Sequence, residues 1–164
     1  MKKVKTTKTP TKRKKRTRKG RRQTHYITGT HISPKSLHPI QYRSSWEYYV
    51  CKHFDEDKQV LSYDYEPYKI AYISNARSGK VRFYIPDFVV NYVDGTQKII
   101  EVKRNSALNN ITVIKKAEAA RRWCESLTKK TGKKHMYELW TEIIIFPIRQ
   151  RFMLLEKQEK KARD

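Results

Sequence analysis

Asp87 stands at the head of a strongly apolar stretch, and Glu101-Val102-Lys103 follows fourteen residues later. Two carboxylates and a lysine on neighbouring strands can hold a divalent cation beside a polarised water. Mg²⁺ takes hard oxygen ligands, only one or two of them protein carboxylates, and keeps water and substrate phosphate in its other positions. Asp87 and Glu101 could supply those carboxylates, and the carbonyl of Val102 a further oxygen; Mn²⁺ could substitute. Lys103 lies two residues past Glu101, so on a strand it shares that face. There it could orient the attacking water or neutralise a pentavalent phosphate, while the metal lowers the pKa of the water. The chemistry this set suggests is phosphodiester hydrolysis.

Register tests the pairing. Asp94-Gly95 is a hairpin signal between the two strands. A strict two-residue turn there would set Asp87 opposite Val102, pointing away from Glu101. A three-residue loop with Gly in the left-handed conformation, or one bulge, returns Asp87 to the face of Glu101 and Lys103. The competing reading makes Glu101 and Lys103 a solvated polar row on an amphipathic strand. Ile99, Ile100 and Val102 count against it, because central apolar strands do not usually carry charge without a partner or a task.

Glu47 is a third candidate carboxylate with two open readings. Ser44-Ser45-Trp46-Glu47 fits a capping box, in which Glu47 bonds back to the start of a helix; Glu47 could equally serve the metal site. The helix itself follows from Trp46, Tyr49, Val50, His53 and Phe54 at helical spacing. Strands are expected at Val60–Glu66, Tyr68–Ile73, Phe83–Tyr92, Lys98–Lys103 and His135–Trp140, with Ser74–Lys80 a loop. Val113, Ala117, Ala120, Cys124 and Leu127 make the buried stripe of a helix over Asn110–Lys130, ended by Gly132. Pro147 is expected to open a last helix with Ile148, Phe152 and Leu155 inward. The element order implies an α/β protein (mixed α+β) with one central mixed sheet flanked by helices.

The chain of 164 residues carries 38 Lys/Arg against 16 Asp/Glu, a net charge of +22. That balance favours a polyanionic partner, with nucleic acid first. The charge is uneven: residues 1–46 hold 15 Lys/Arg and no acid, leaving 23 basic and 16 acidic side chains for residues 47–164. Residues 1–22 read as a disordered basic arm. Within it Lys12, Arg13, Lys14, Lys15 and Arg16 are candidates for phosphate contact through counterion release, or for a targeting signal. Residues 23–41 read as a linker, with Pro34 and Pro39 opposing regular structure. A core domain over 42–146 and a C-terminal helix over 147–164 complete the division. Arg43, Arg77, Lys80, Arg82, Lys115 and Lys116 are further candidates for DNA contact. Tyr63, Tyr65, Tyr68 and Tyr72 read as strand packing. Cys51 and Cys124 match no zinc or disulfide pattern. The chain has no apolar run long enough for a membrane span and no secretory signal, so an intracellular protein is expected.

Glu47, Pro86-Asp87 and Glu101-Val102-Lys103 together resemble the PD-(D/E)xK nuclease superfamily. The segment Tyr42-Arg43-Ser44-Ser45-Trp46-Glu47 looks like the opening helix of the head completion nucleases of tailed phages. Tyr65-Glu66-Pro67-Tyr68-Lys69-Ile70 with Tyr84-Ile85-Pro86-Asp87-Phe88 is similar to phage Holliday-junction resolving endonucleases. Lys115-Lys116-Ala117-Glu118-Ala119-Ala120 with Trp123-Cys124 is similar to the helix after the active site in TnsA-type transposon endonucleases. The resemblance implies a restriction-endonuclease-like fold and Mg²⁺-dependent DNA cleavage. It implies Asp87 and Glu101 as metal ligands, Lys103 as the water- or phosphate-orienting lysine, and Glu47 as the helix carboxylate acting through water. A phage setting would add head and neck proteins as partners and an infected host cell or virion as location, and a junction resolvase would act as a homodimer. A catalytically silent DNA-binding virion protein is the contrasting expectation.

Overall fold

The structure, a computed structural model, describes residues 27–163. Two short strands, β1 (Gly29–His31) and β2 (Ile40–Tyr42), lead into helix α1 (Ser45–Glu56). Then come β3 (Val60–Tyr65), β4 (Ile70–Asn75), β5 (Lys80–Tyr84), β6 (Phe88–Tyr92) and β7 (Gln97–Val102). Helix α2 (Ile111–Thr131), strand β8 (His135–Trp140) and helix α3 (Glu142–Arg163) complete the chain. The main sheet has the order β3-β6-β7-β8, antiparallel except for the β7–β8 pair, which is parallel. The architecture is therefore mixed α/β with a central mixed sheet and three helices.

Both faces of this sheet are covered, as the uninterrupted apolar runs of β6 and β7 require. Phe88, Val90 and Ile100 pack with Val50, Cys51 and Phe54 of α1 and Ile145 of α3. On the other face, Val89 and Ile99 pack with Ala119, Ala120 and Cys124 of α2 and with Ile70, Tyr72 and Tyr84 of the β4–β5 ribbon. Fully burying a side chain of Val, Ile or Phe size contributes about 1.5–3 kcal/mol, so these two layers fix the position of the β6–β7 hairpin.

Local signals explain the helix ends. The Ser44 hydroxyl accepts from the Glu47 N–H at the start of α1, and the Asn110 side chain accepts from the Thr112 N–H at the start of α2. Gly132 ends α2 at φ 72°, a left-handed cap that suits glycine. Cys51 and Cys124 are both free and buried.

Several expectations change. The apolar run Phe83–Tyr92 is two strands, not one. Pro86 offers no N–H to a ladder, and the chain leaves β5 at Tyr84 and re-enters the main sheet at Phe88. The expected single sheet is consequently divided: β4 and β5 form a separate two-stranded ribbon. Residues 29–31 and 40–42 pair as a short antiparallel ladder where irregular linker was expected; Pro34 and Pro39 fall in the connection between them. Pro147 lies inside α3 rather than at its start. The Thr141 carbonyl accepts from Ile144 and Ile145, so the helix is under way before the proline is reached. Its missing N–H removes a rung near the helix start. On α3 Phe152 is buried as expected, but Leu155 is 40% exposed.

Candidate active site

Three residues, Val93-Asp94-Gly95, connect the last rung of β6 to the first of β7. The Tyr92 N–H donates to the Thr96 carbonyl, and Gly95 takes φ 82°. The ladder then runs Asn91–Gln97, Val90–Lys98, Val89–Ile99 and Phe88–Ile100. One step further sets Asp87 across from Glu101. The odd loop thus brings Asp87, Glu101 and Lys103 to one face of the sheet, the face of Val89, Ile99 and helix α2.

The ladder ends in a side-chain contact. The Val102 N–H, which would next meet the backbone near Pro86, donates instead to Asp87 Oδ2 at 2.7 Å. In an extended strand a residue's N–H and C=O point to the same edge, so the Val102 carbonyl also faces the Asp87 side. The Lys103 N–H turns the other way and donates to the Trp140 carbonyl of β8 at 3.0 Å. This alternation holds the backbone of the Glu101-Val102-Lys103 segment on both sides.

Glu101 is 4% exposed. Its Oε1 pairs with Lys103 Nζ at 2.7 Å, and its Oε2 is buried with no hydrogen-bond partner. Burial, with the Glu101 charge adding to it, pushes the Asp87 carboxyl up to about 7. The Val102 N–H and the Lys103 ammonium offset part of this. Burial alone would depress the Lys103 ammonium, but Glu101, with Asp87 and Glu47 behind it, outweighs burial and holds it above its ordinary value. The site therefore concentrates negative charge that a single lysine does not balance.

A divalent cation fits that imbalance. The donors are all oxygens: a free oxygen of Asp87, the orphaned Oε2 of Glu101 and the carbonyl of Val102. No group of three His, Cys, Asp or Glu suited to a metal occurs among the described residues. Mg²⁺ needs no such cage, since it retains waters and takes few carboxylates.

Glu47 sits in the capping box of α1. Its Oε1 accepts from the Ser44 hydroxyl at 2.9 Å, and its Oε2 accepts from the Arg43 N–H and the Tyr65 hydroxyl, both at 2.8 Å. Its charge acts on Asp87 and Lys103, but both of its oxygens are engaged in holding the helix start. Tyr65, read from the sequence as strand packing rather than a base-stacking platform, also bonds Glu47. The signal was the alternation Tyr63-Asp64-Tyr65, which sends both rings toward α1. Tyr84 is a second residue the sequence did not single out for the site. Its hydroxyl is buried without a partner, and burial together with Tyr137, Glu101 and Asp87 raises its pKa.

The basic candidates separate. Arg43 pairs with Glu66. Lys115 donates to the Ser74 carbonyl at 2.9 Å, and the Lys116 ammonium lies 5.3 Å from the Tyr84 ring centroid. Arg77, Lys80 and Arg82 are exposed on the β4–β5 ribbon. Lys12, Arg13, Lys14, Lys15 and Arg16 lie outside the described residues.

Residues 57–130 match the family model described as TnsA-like endonuclease N terminal. The matched stretch runs from the end of α1 through α2 and contains Asp87, Glu101 and Lys103. No curated protein matches the chain. Over this stretch the chain is similar to a family described as an endonuclease. No helix among the described residues is long and apolar enough to cross a membrane.

Proposed function

We propose that this protein is a metal-dependent DNA endonuclease with a restriction-endonuclease-like fold and its active site at Asp87, Glu101, Val102 and Lys103. One observation carries the reading: the three-residue loop that faces Asp87 to Glu101 beside an unpaired, buried carboxylate oxygen. Asp87, Glu101 and the Val102 carbonyl would hold Mg²⁺ or Mn²⁺, which when bound supplies Lewis acidity and an acidified water. Asp87 is held in place by the Val102 N–H. Lys103 is kept protonated by its carboxylate neighbours; it orients the water and meets charge developing on the phosphate. Glu47 fixes the start of α1 and adds negative potential to the site. The neighbouring cations and the arm of residues 1–22 hold the DNA backbone.

Among narrower roles, the matched region favours a TnsA-like endonuclease that cuts DNA strands. A phage head completion nuclease, acting at packaging and neck assembly, is supported by the Tyr42–Glu47 segment, which precedes the matched residues. The deciding experiment is cleavage of supercoiled plasmid by the full chain with Mg²⁺, with Mn²⁺ and with EDTA, beside Asp87→Ala and Lys103→Ala. Cleavage that needs the metal and is lost in both variants is expected. Equal nicking by wild type and both variants would remove the site, and a DNA-binding protein without catalysis would remain.

A further inference from the structure

We infer that the β4–β5 ribbon is a groove-engaging arm for double-helical DNA, which it aligns beside Asp87. This rests on the nuclease reading and extends it to the form of the substrate and the element that grips it.

The ribbon packs its inner face (Ile70, Tyr72, Tyr84) on α2 and the main sheet and leaves its other face uncovered. It hydrogen-bonds to no strand of the main sheet, and its outer strand is exposed on both faces from Lys80 through Phe83. Phe83 is 67% exposed and Val81 55%. Register places Ile73 opposite Val81 and Ala71 opposite Phe83, so these four share the outward face. An apolar face of this kind calls for a partner.

Charge identifies the partner. Between Glu66 and Asp87 the chain has no acid and four cations: Lys69, Arg77, Lys80 and Arg82. None of the four makes a salt bridge among the described residues. Arg77 and Lys80 crown the tip, where the Asn75 side chain accepts from the Arg77 and Ser78 N–H groups and holds the turn. Two copies of such a surface would repel each other, whereas a polyanion complements it. A two-stranded ribbon fits the ~12 Å width of the B-form major groove, where apolar side chains can meet thymine methyls. Six residues of strand reach roughly 20 Å at ~3.3 Å each, so the tip can touch phosphates on the groove wall.

The base of the ribbon is anchored and leads into the site. At the base the Tyr68 ring lies 5.2 Å from that of Trp123, and nearer the tip Lys115 of α2 holds the Ser74 carbonyl. After Tyr84 only Ile85 and Pro86 intervene before Asp87. DNA seated on the ribbon is therefore fixed a few residues from the carboxylates.

The test is binding of the full chain, in EDTA, to a fluorescent 30-base-pair duplex and to the corresponding single strand across a salt series. The variants are Arg77→Ala/Lys80→Ala/Arg82→Ala and Phe83→Ala, with circular dichroism melts to verify folding. The triple variant should bind duplex at least tenfold more weakly. Its log–log salt slope should fall by about 2–3, because each phosphate that a cation neutralises adds ~0.9 to the slope. Phe83→Ala should weaken duplex binding several-fold with the slope unchanged, because no charge is removed. Single-strand binding should change less in both. Unchanged duplex affinity and slope in the triple variant would overturn the inference, as would a larger drop for single strands than for duplex. Plasmid cleavage by the same preparations separates the two readings. Cleavage with unaffected duplex binding removes the arm and leaves the nuclease. Abolished duplex binding in the triple variant, with a wild type that does not cleave, leaves the arm on a protein that binds without cutting.

Discussion

Asp87 faces Glu101 one rung beyond the Phe88–Ile100 pair, because three residues rather than two connect their strands. The consequence is electrostatic. Two carboxyl groups share a partly enclosed face with one lysine, and one of their oxygens has no partner at all. Hydrophobic patterning would not impose this register: Phe88, Val89 and Val90 are all buried, so β6 has no polar face to orient it. The loop sets the register, with Gly95 at φ 82° closing it.

The first prediction concerns pH and metal. The Asp87 carboxyl rises from its ordinary 3.8 to about 7, chiefly through burial and then through Glu101. A value raised by folding means that the fold favours the protonated form. This contribution is therefore full below about 3.8, declines as pH rises, and is exhausted above about 7. Asp87→Asn mimics the neutral group at every pH. In EDTA, Asp87→Asn should match wild type in urea denaturation near pH 4 and exceed it at pH 8, by on the order of 2 kcal/mol. Millimolar Mg²⁺ should stabilise wild type at pH 8 and leave the variant unmoved. A variant less stable than wild type at pH 8 in EDTA would contradict the charge balance described for the site.

Glu47 permits a separation of its two roles. Glutamine can keep the capping box, with its oxygen toward Arg43 and Tyr65 and its amide toward Ser44. Glu47→Ala removes these contacts and should cost about 1 kcal/mol. Glu47→Gln should stay within ~0.5 kcal/mol of wild type and cleave less than tenfold more slowly, whereas Asp87→Asn should abolish cleavage. Thermal melts and plasmid cleavage of the three variants measure both effects. A full loss of cleavage in a stably folded Glu47→Gln would show that the carboxylate itself enters the chemistry.

Much of the fold was legible because the local signals agree with one another. Ser44 and Glu47 announce α1, Asn110 and Gly132 bracket α2, and apolar stripes at helical spacing mark the buried faces. The strand pair carrying Asp87 and Glu101 was legible too, including the need for an odd connection. What the sequence hid depends on tertiary context. Pro86 lies in a run that is apolar apart from Asp87 and Asn91, and only the sheet shows that the chain changes partners there. Pro147 resembles a helix start, yet Thr141 and Glu142 begin the helix because the chain turns out of β8 at that point. The capping box and the metal-site reading of Glu47 use the same spacing, so hydrogen-bond partners were needed to see where its oxygens lie.

Tyr84 offers a test of packing around the site. Its hydroxyl is buried and unbonded, while its ring packs in the layer between the sheet and α2 and lies under the Lys116 ammonium. A buried unpaired hydroxyl costs about 1–3 kcal/mol of desolvation. Tyr84→Phe keeps the ring and its contact with Lys116 and removes that cost. The variant should be at least as stable as wild type in thermal melts. A clear loss of stability would reveal a hydrogen-bond partner for the hydroxyl, such as an ordered water shared with Glu101.

Asp55 ties the segment before α1 to the body of the domain. Its Oδ2 lies 2.7 Å from His31 Nε2, and its Oδ1 accepts from the Ser33 hydroxyl at 2.5 Å and from the Tyr63 hydroxyl at 3.0 Å. Ser33 and Tyr63 are buried, so neither hydroxyl can turn to bulk water if the carboxylate is removed. Removing the carboxylate strands the Ser33 hydroxyl and takes the partner of the His31 ring, while the Tyr63 hydroxyl retains the Cys51 carbonyl at 3.3 Å; together this costs more than a single exposed hydrogen bond. Asp55→Ala should therefore destabilise by about 2–3 kcal/mol, and Asp55→Asn, which retains one acceptor oxygen, by less. Hydrogen exchange should localise the effect: amides of residues 29–42 should lose protection in Asp55→Ala before those of β6 and β7. Uniform deprotection across the sheet would instead make Asp55 part of the global core, with no separate role in fastening the β1–β2 segment.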